Sequence, residues 1–225
     1  MGDDTAVNSD FEDSSNIPKN DSIALKIVTH EKYQYYQRKH SEFASNHNLN
    51  IDQLVKHHHR HNLTGETLYG SGKIGFRSPS LFFIKDSSTE DEVVGDSSIT
   101  FFHLGHKLSG HNQIIHGGLI ATLLDEVTCL LAFEKFAAKT GVTANLNVSY
   151  KKPTYVDNYI LLKCEIIKRE GRKCWVSGKV YLVDLQDDGI IERPENLLSH
   201  CEVLVIEPKW AAELHARNQT PPKTS

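Results

Sequence analysis

The chain lacks any apolar run near the roughly 18 residues that a membrane-crossing helix needs, so a helical span is excluded. It also lacks a Lys/Arg block. Six acids, Asp3, Asp4, Asp10, Glu12, Asp13 and Asp21, face Lys19 alone in the first 22 residues, which leaves 24 basic and 23 acidic residues for the rest of a chain of net charge −4. A near-neutral folded part argues against a protein that tracks nucleic-acid phosphates, while a local basic pocket for a small anion stays open. Cysteine is sparse: Cys129, Cys164, Cys174 and Cys201, at spacings of 35, 10 and 27, form neither a CxxC unit nor a disulfide scaffold, and are expected as buried free thiols in a reducing compartment. No targeting signal shows. The N-terminus has no basic, apolar leader and its acids oppose a mitochondrial presequence. Ala6 stands where myristoylation wants Ser or Thr, and Lys223-Thr224-Ser225 is no peroxisomal tripeptide. The expected setting is therefore cytoplasmic. His57, His58, His59 and His61 are adjacent rather than spaced for one helix face, and His103, His106, His111 and His116 are loosely spaced, so neither metal nor cofactor is expected.

With 39% hydrophobic and 24% charged residues, the 225-residue chain can bury one sizeable core. Residues 1–22 and 212–225 carry too little apolar surface to order and are expected as tails. Residues 23–75 are expected as a helical arm, with Val28, Tyr36, Phe43, Leu49 and Leu54 as its apolar positions, ending in a Gly-rich linker from Gly65 to Gly75. The main domain would occupy 76–211. Short β-branched and aromatic runs at Leu81 to Lys85 and Ile99 to His103 predict strands. After Gly117-Gly118 the period changes: Ile120, Leu123, Leu124, Val127 and Leu131 draw one face of a long buried helix. From Val142 to Tyr150 the period is two, with Thr143, Asn145, Asn147 and Ser149 forming a polar row. Strands are predicted at Tyr159 to Lys168, Arg172 to Asp184 and His200 to Glu207, with a turn at Glu170-Gly171 and a polar loop from Gln186 to Asn196. The order predicts an α+β fold: an antiparallel sheet wrapped around one long central helix, its last four strands a meander.

Three features could carry chemistry. His116-Gly117-Gly118 opens the helix, where unpaired N–H groups and the helix dipole suit an oxyanion or polarised carbonyl, though a plain Gly-rich helix entry fits too. Asp125 is a carboxylate two turns into an apolar helix, costly unless paired or used. The polar row on the following strand faces either solvent or a site. Cys129, one turn past Asp125, reads as core rather than nucleophile.

Three blocks, HGGLIATLLD from His116 to Asp125, TANLNVSYKKP from Thr143 to Pro153 and EGRK from Glu170 to Lys173, together resemble the hotdog-fold acyl-CoA thioesterases of the PaaI-like group, which includes thioesterase superfamily members of animals. The resemblance runs from about Leu81 to Glu207. The N-terminal arm, the acidic start and the 186–196 insertion depart from it. It implies hydrolysis of an acyl-CoA, fatty ones included, to free acid and CoA. The Gly117 N–H, with Gly118 and the neighbouring His116, would hold the thioester carbonyl; Asp125 would act as general base or nucleophile; Thr143 would position water or substrate. Asn145, Ser149, Lys151, Arg172 and Lys173 would contact the CoA substrate, the three cations meeting its phosphates. By this resemblance alone the compartment would be mitochondrial. Leu123, Leu130 and Phe133 are candidates to set acyl-chain length.

Helix geometry adds a constraint. Gly117 and Asp125 are eight residues apart, about 12 Å along one helix at 1.5 Å per residue, too far to act on one carbon. Antiparallel helices at a two-fold would bring Gly117 of one protomer to Asp125 of its partner, so a homodimer or dimer of dimers is expected. A rival reading is a catalytically silent acyl-CoA-binding hotdog protein that recruits a partner. A hydratase or dehydratase on this fold would need a helical His beside the carboxylate, which is absent.

Overall fold

The computed structural model describes residues 22–47, 63–85 and 94–211. The arm comprises α1 (Ser22–Val28) and α2 (Glu31–Asn46), and a π-helical turn follows at Leu63–Thr67. Then come β1 (Ile74–Arg77), β2 (Leu81–Phe83), β3 (Ser97–Leu104), the short pair β4 (Ser109–His111) and β5 (Ile114–Ile115), and the central helix α3 (Gly117–Phe133). β6 (Val142–Tyr150), β7 (Asn158–Glu170), β8 (Lys173–Val183) and β9 (Leu197–Ile206) complete the chain. The two tails, the His57–His61 run and the arm positions Leu49 and Leu54 lie outside the described residues.

The main sheet is antiparallel, in the order β1-β3-β7-β8-β9-β6, with β2 also paired to β3. The expected four-strand meander is corrected: only β7-β8-β9 is one. α3 packs across β7, β8, β9 and β6, so the chain leaves it at the far side of the sheet. β6 there pairs with β9, and β7 returns to pair with β3. β6 thus ends the sheet, its outer edge unpaired among the described residues. A second correction concerns the Gly-rich linker, whose last residues form β1; Gly75 sits inside this strand because a side chain there would press on His103 and Ile23.

Alternation along the strands gives the sheet two apolar faces. On β7, Ile160, Leu162, Cys164 and Ile166 meet α3, while Tyr159 and Leu161 join the opposite cluster with Ile27, Tyr33 and Tyr36 of the arm. The sheet is therefore covered on both sides, by α3 within and by α1–α2 outside. Tyr33 and Tyr36 meet Phe101 edge-on at ring-centroid distances of 5.1 and 5.6 Å. The two sequence departures touch: the Tyr36 hydroxyl donates to Glu192 of the 186–196 insertion at 2.9 Å, with Lys163 on the other carboxylate oxygen at 2.5 Å.

Candidate active site

α3 begins on His116, whose φ −59° and ψ 125° place it outside the helix as its N-cap. A helix has four N-terminal N–H groups without intrahelical partners, and three are satisfied here. His116 N–H donates to the Leu108 carbonyl at 2.9 Å, Gly118 N–H to His116 Nδ1 at 2.9 Å and Leu119 N–H to the His116 carbonyl at 2.9 Å, while Ile120 N–H makes the first i→i−4 helical bond to that same carbonyl at 3.3 Å. Gly117 N–H has no partner among the described residues. Gly118, expected to share in holding the carbonyl, has its N–H on the His116 side chain in this structure. The cap needs small neighbours: a side chain on Gly110 would meet the His116 ring at 2.6 Å. Gly117 opens onto a cavity of about 360 Å³ lined by Ile114, Ile115, Ile120, Tyr150 and Lys151, among others. The Tyr150 hydroxyl donates to the Gly117 carbonyl at 2.7 Å.

Two turns on, Asp125 is half-buried and accepts from the Thr143 hydroxyl at 2.6 Å. Strict alternation puts Thr143 on the face with Asn145 and Asn147, yet it faces α3. A register shift between Thr143 and Asn145 inserts Ala144 as an unpaired extra residue, a bulge that flips the parity of everything before it. Thr143 then lies opposite buried Val205, and Leu146 opposite buried Val203, on one face. Cys129 Sγ lies 3.1 Å from Thr143 Oγ1. Burial pushes that thiol up to about 12, so it is a poor source of thiolate and belongs to the core.

The neighbouring carboxylate has a different fate. Glu126 is buried, and the Arg77 guanidinium and the Thr64 hydroxyl both donate to it. These three residues were missed in the sequence because they are 62 and 49 positions apart and carry no local signal. Tyr150 was missed because it reads as one more apolar member of the β6 alternation.

The five expected CoA contacts do not gather in one protomer. Lys151 flanks the Gly117 cavity, its backbone bonded to Leu198 at the start of β9. Arg172 and Lys173 lie at the other end: Arg172 exchanges backbone and guanidinium bonds with Glu207, and Lys173 pairs with Ile206. Eight residues of β9 separate the two groups, about 27 Å at 3.4 Å per residue. Asn145 and Ser149 face away from α3, opposite Leu204 and His200. Leu123 and Leu130 are buried in the inner core and Phe133 is half-buried; none lines the Gly117 cavity.

A curved antiparallel sheet holding one long helix is the hotdog fold. Residues 112–186, a third of the chain, match the family model of the thioesterase superfamily. A mouse acyl-coenzyme A thioesterase, THEM4, is 36% identical over 87 residues, which is 39% of this chain and 36% of that protein. An uncharacterised protein of Schizosaccharomyces pombe is 38% identical over 89 residues, 40% of this chain and 51% of that one. An uncharacterised mitochondrial protein of Candida albicans is 28% identical over 200 residues, 89% of this chain and 82% of the relative. The match thus spans about half of the Schizosaccharomyces pombe protein and about a third of the mouse one. No helix of the described residues is long and apolar enough to cross a membrane.

Proposed function

We propose that the protein is an acyl-CoA thioesterase that works as a homodimer, with each site shared between protomers. The observation that carries this reading is the Thr143–Asp125 hydrogen bond: a carboxylate oriented by a neutral hydroxyl, on a helix whose Gly117 N–H is free. Asp125 takes a proton from water as the oxygen adds to the thioester carbonyl, and the resulting oxyanion accepts from the Gly117 N–H of the partner. Collapse of the tetrahedral species breaks the C–S bond, releases the acid, and lets the CoA thiolate recover the proton from Asp125. Asp125 as nucleophile, through a mixed anhydride that water then opens, is the alternative; 18O from labelled water appears in Asp125 after one turnover only by that route.

The unpaired edge of β6 supports the dimer. Antiparallel pairing with its copy sets the Gly117–Tyr150 end of one strand beside the Thr143 end of the other. Lys151 of one protomer would then join Arg172 and Lys173 of the other around one nucleotide. Incubation with acyl-CoAs from short to long chains and a thiol reagent tests the function and reveals the preferred chain length, fatty or not. CoA release that Asp125→Asn abolishes supports it; binding without release would leave the silent acyl-CoA binder. Of the two compartments expected from the sequence, the Candida albicans relative's name supports the mitochondrial one, which cell fractionation checks.

A further inference from the structure

The Gly117 N–H is a useful donor only if it is aimed before the substrate arrives, because a donor that must first be ordered loses much of its effect. Yet it belongs to a Gly-Gly pair, the least constrained dipeptide a helix can start on. The peptide joining Gly117 to Gly118 is held at both ends: its carbonyl accepts from the Tyr150 hydroxyl at 2.7 Å, and its N–H donates to His116 Nδ1 at 2.9 Å. The peptide before it, which carries the Gly117 N–H, is held through the His116 carbonyl by the Leu119 and Ile120 N–H groups. Peptide units are planar, so fixing both planes fixes the direction of the Gly117 N–H. The Tyr150 ring is about half exposed and borders Gly117 on one side. A methyl group on Gly117 would find ring atoms at 3.4–3.5 Å, so ring and glycine lie in van der Waals contact distance of that position.

We propose that Tyr150 is a positioning residue for thioester hydrolysis, its hydroxyl acting with the His116 cap to clamp the Gly117–Gly118 peptide and aim the Gly117 N–H at the substrate carbonyl. This rests on the thioesterase reading above and extends it to a residue at the end of the edge strand. The contact also explains why the first turn of the helix and the last residue of β6 meet: donor and edge are tied together.

Tyr150→Phe keeps the ring and removes the hydroxyl. The expected result is a kcat about tenfold lower, the scale of one lost hydrogen bond, with KM within about twofold and an unchanged melting temperature. His116→Ala should lower kcat alike, with a lower melting temperature from the lost N-cap. Because either change frees the same peptide, the double variant should be no worse than the poorer single one. His116→Asn, which offers an oxygen in a good N-cap position, should restore kcat. A ketone analogue of acyl-CoA, with CH2 in place of the thioester sulfur, gives a readout independent of turnover. Its carbonyl stretch should shift down on binding to the wild type and less on binding to Tyr150→Phe. Losses that multiply in the double variant, an effect confined to KM, or wild-type kcat in Tyr150→Phe would each overturn the clamp. If the wild-type protein releases no CoA from any acyl-CoA, the proposed function falls and this inference with it. If it does and Tyr150→Phe matches it, only this inference falls.

Discussion

Asp125 and Glu126 are adjacent carboxylates that α3 turns toward different sides of the molecule. Glu126 points to β1 and the 63–67 turn, where Arg77 and Thr64 hold it in the interior. Asp125 points to β6, half-buried, and has a neutral hydroxyl as its partner. The Glu126 carboxylate has both oxygens engaged, one by the Arg77 guanidinium and one by the Thr64 hydroxyl. A carboxylate bonded to one hydroxyl keeps an oxygen for chemistry. Sequence position alone does not separate them; what each faces does.

The largest effect should come from the exposed side. Asp125→Asn keeps shape and the Thr143 contact but loses the base, and kcat should fall by about 10² to 10⁴ with little change in melting temperature. Thr143→Ala should cost less, since the carboxylate stays. Near-normal turnover by Asp125→Asn would place the chemistry elsewhere.

The opposite pattern is expected across the helix. Arg77→Met leaves Glu126 in the interior without its counter-charge and should destabilise folding by about 3–5 kcal/mol in urea denaturation, while folded molecules keep their kcat. Replacing both partners, Arg77→Met with Glu126→Leu, should recover most of that stability. If Arg77→Met instead lowers kcat in a fully folded protein, the two carboxylates are coupled and the division between them fails.

A smaller recovery tests whether both ends of α3 serve one site. Gly117 is outside the left-handed region, and ψ 125° at His116 suits a residue preceding proline. Gly117→Pro should therefore enter the helix while deleting the donor N–H. Gly117→Ala keeps the N–H, and its methyl meets Tyr150 at an ordinary 3.4 Å, so it should stay active. Gly117→Pro and Asp125→Asn should each be nearly inactive alone. Mixed in equal amounts and re-equilibrated, they should regain about a quarter of wild-type activity, because half the dimers are hybrids and each hybrid has one intact site. No recovery in hybrids confirmed by native mass spectrometry would mean that one chain supplies both groups, or that no dimer forms the site.

What the sequence revealed and what it hid follow the range of each interaction. The helical period at Ile120, Leu123, Leu124, Val127 and Leu131 and the alternation at Leu146 and Val148 are local, and both survive in α3 and β6. The bulge at Ala144 is equally local but has no residue signature, so the Thr143–Asp125 bond could not be derived from the period, and the resemblance had given Thr143 only the positioning of water or substrate. Sheet order depends on which way α3 crosses, a property of packing rather than of any window of residues. The arm showed polar and aromatic residues with no partner in view; only the folded sheet shows that Tyr33 and Tyr36 cover Phe101.

The smallest effect concerns the cations. Arg172 already gives one guanidinium bond to the Glu207 carbonyl at 2.8 Å, whereas Lys173 is exposed at the turn and its ammonium has no hydrogen bond among the described residues. Exposed charges contribute modestly to binding, so Arg172→Ala with Lys173→Ala should raise KM for acyl-CoA about three- to tenfold at low salt and leave kcat unchanged. The effect should shrink as ionic strength rises, since screening weakens contacts to exposed phosphates first. Acyl-pantetheine, which has no nucleotide, should show no difference between this variant and the wild type. Lys151→Ala should behave the same way despite lying about 27 Å along β9 from those residues, because the two-fold brings it to the other protomer's pair. Should the three substitutions prove additive on acyl-pantetheine as well, these cations do not read the nucleotide. A KM effect from Arg172 and Lys173 but none from Lys151 would place the nucleotide within one protomer, at the Asp125 end alone.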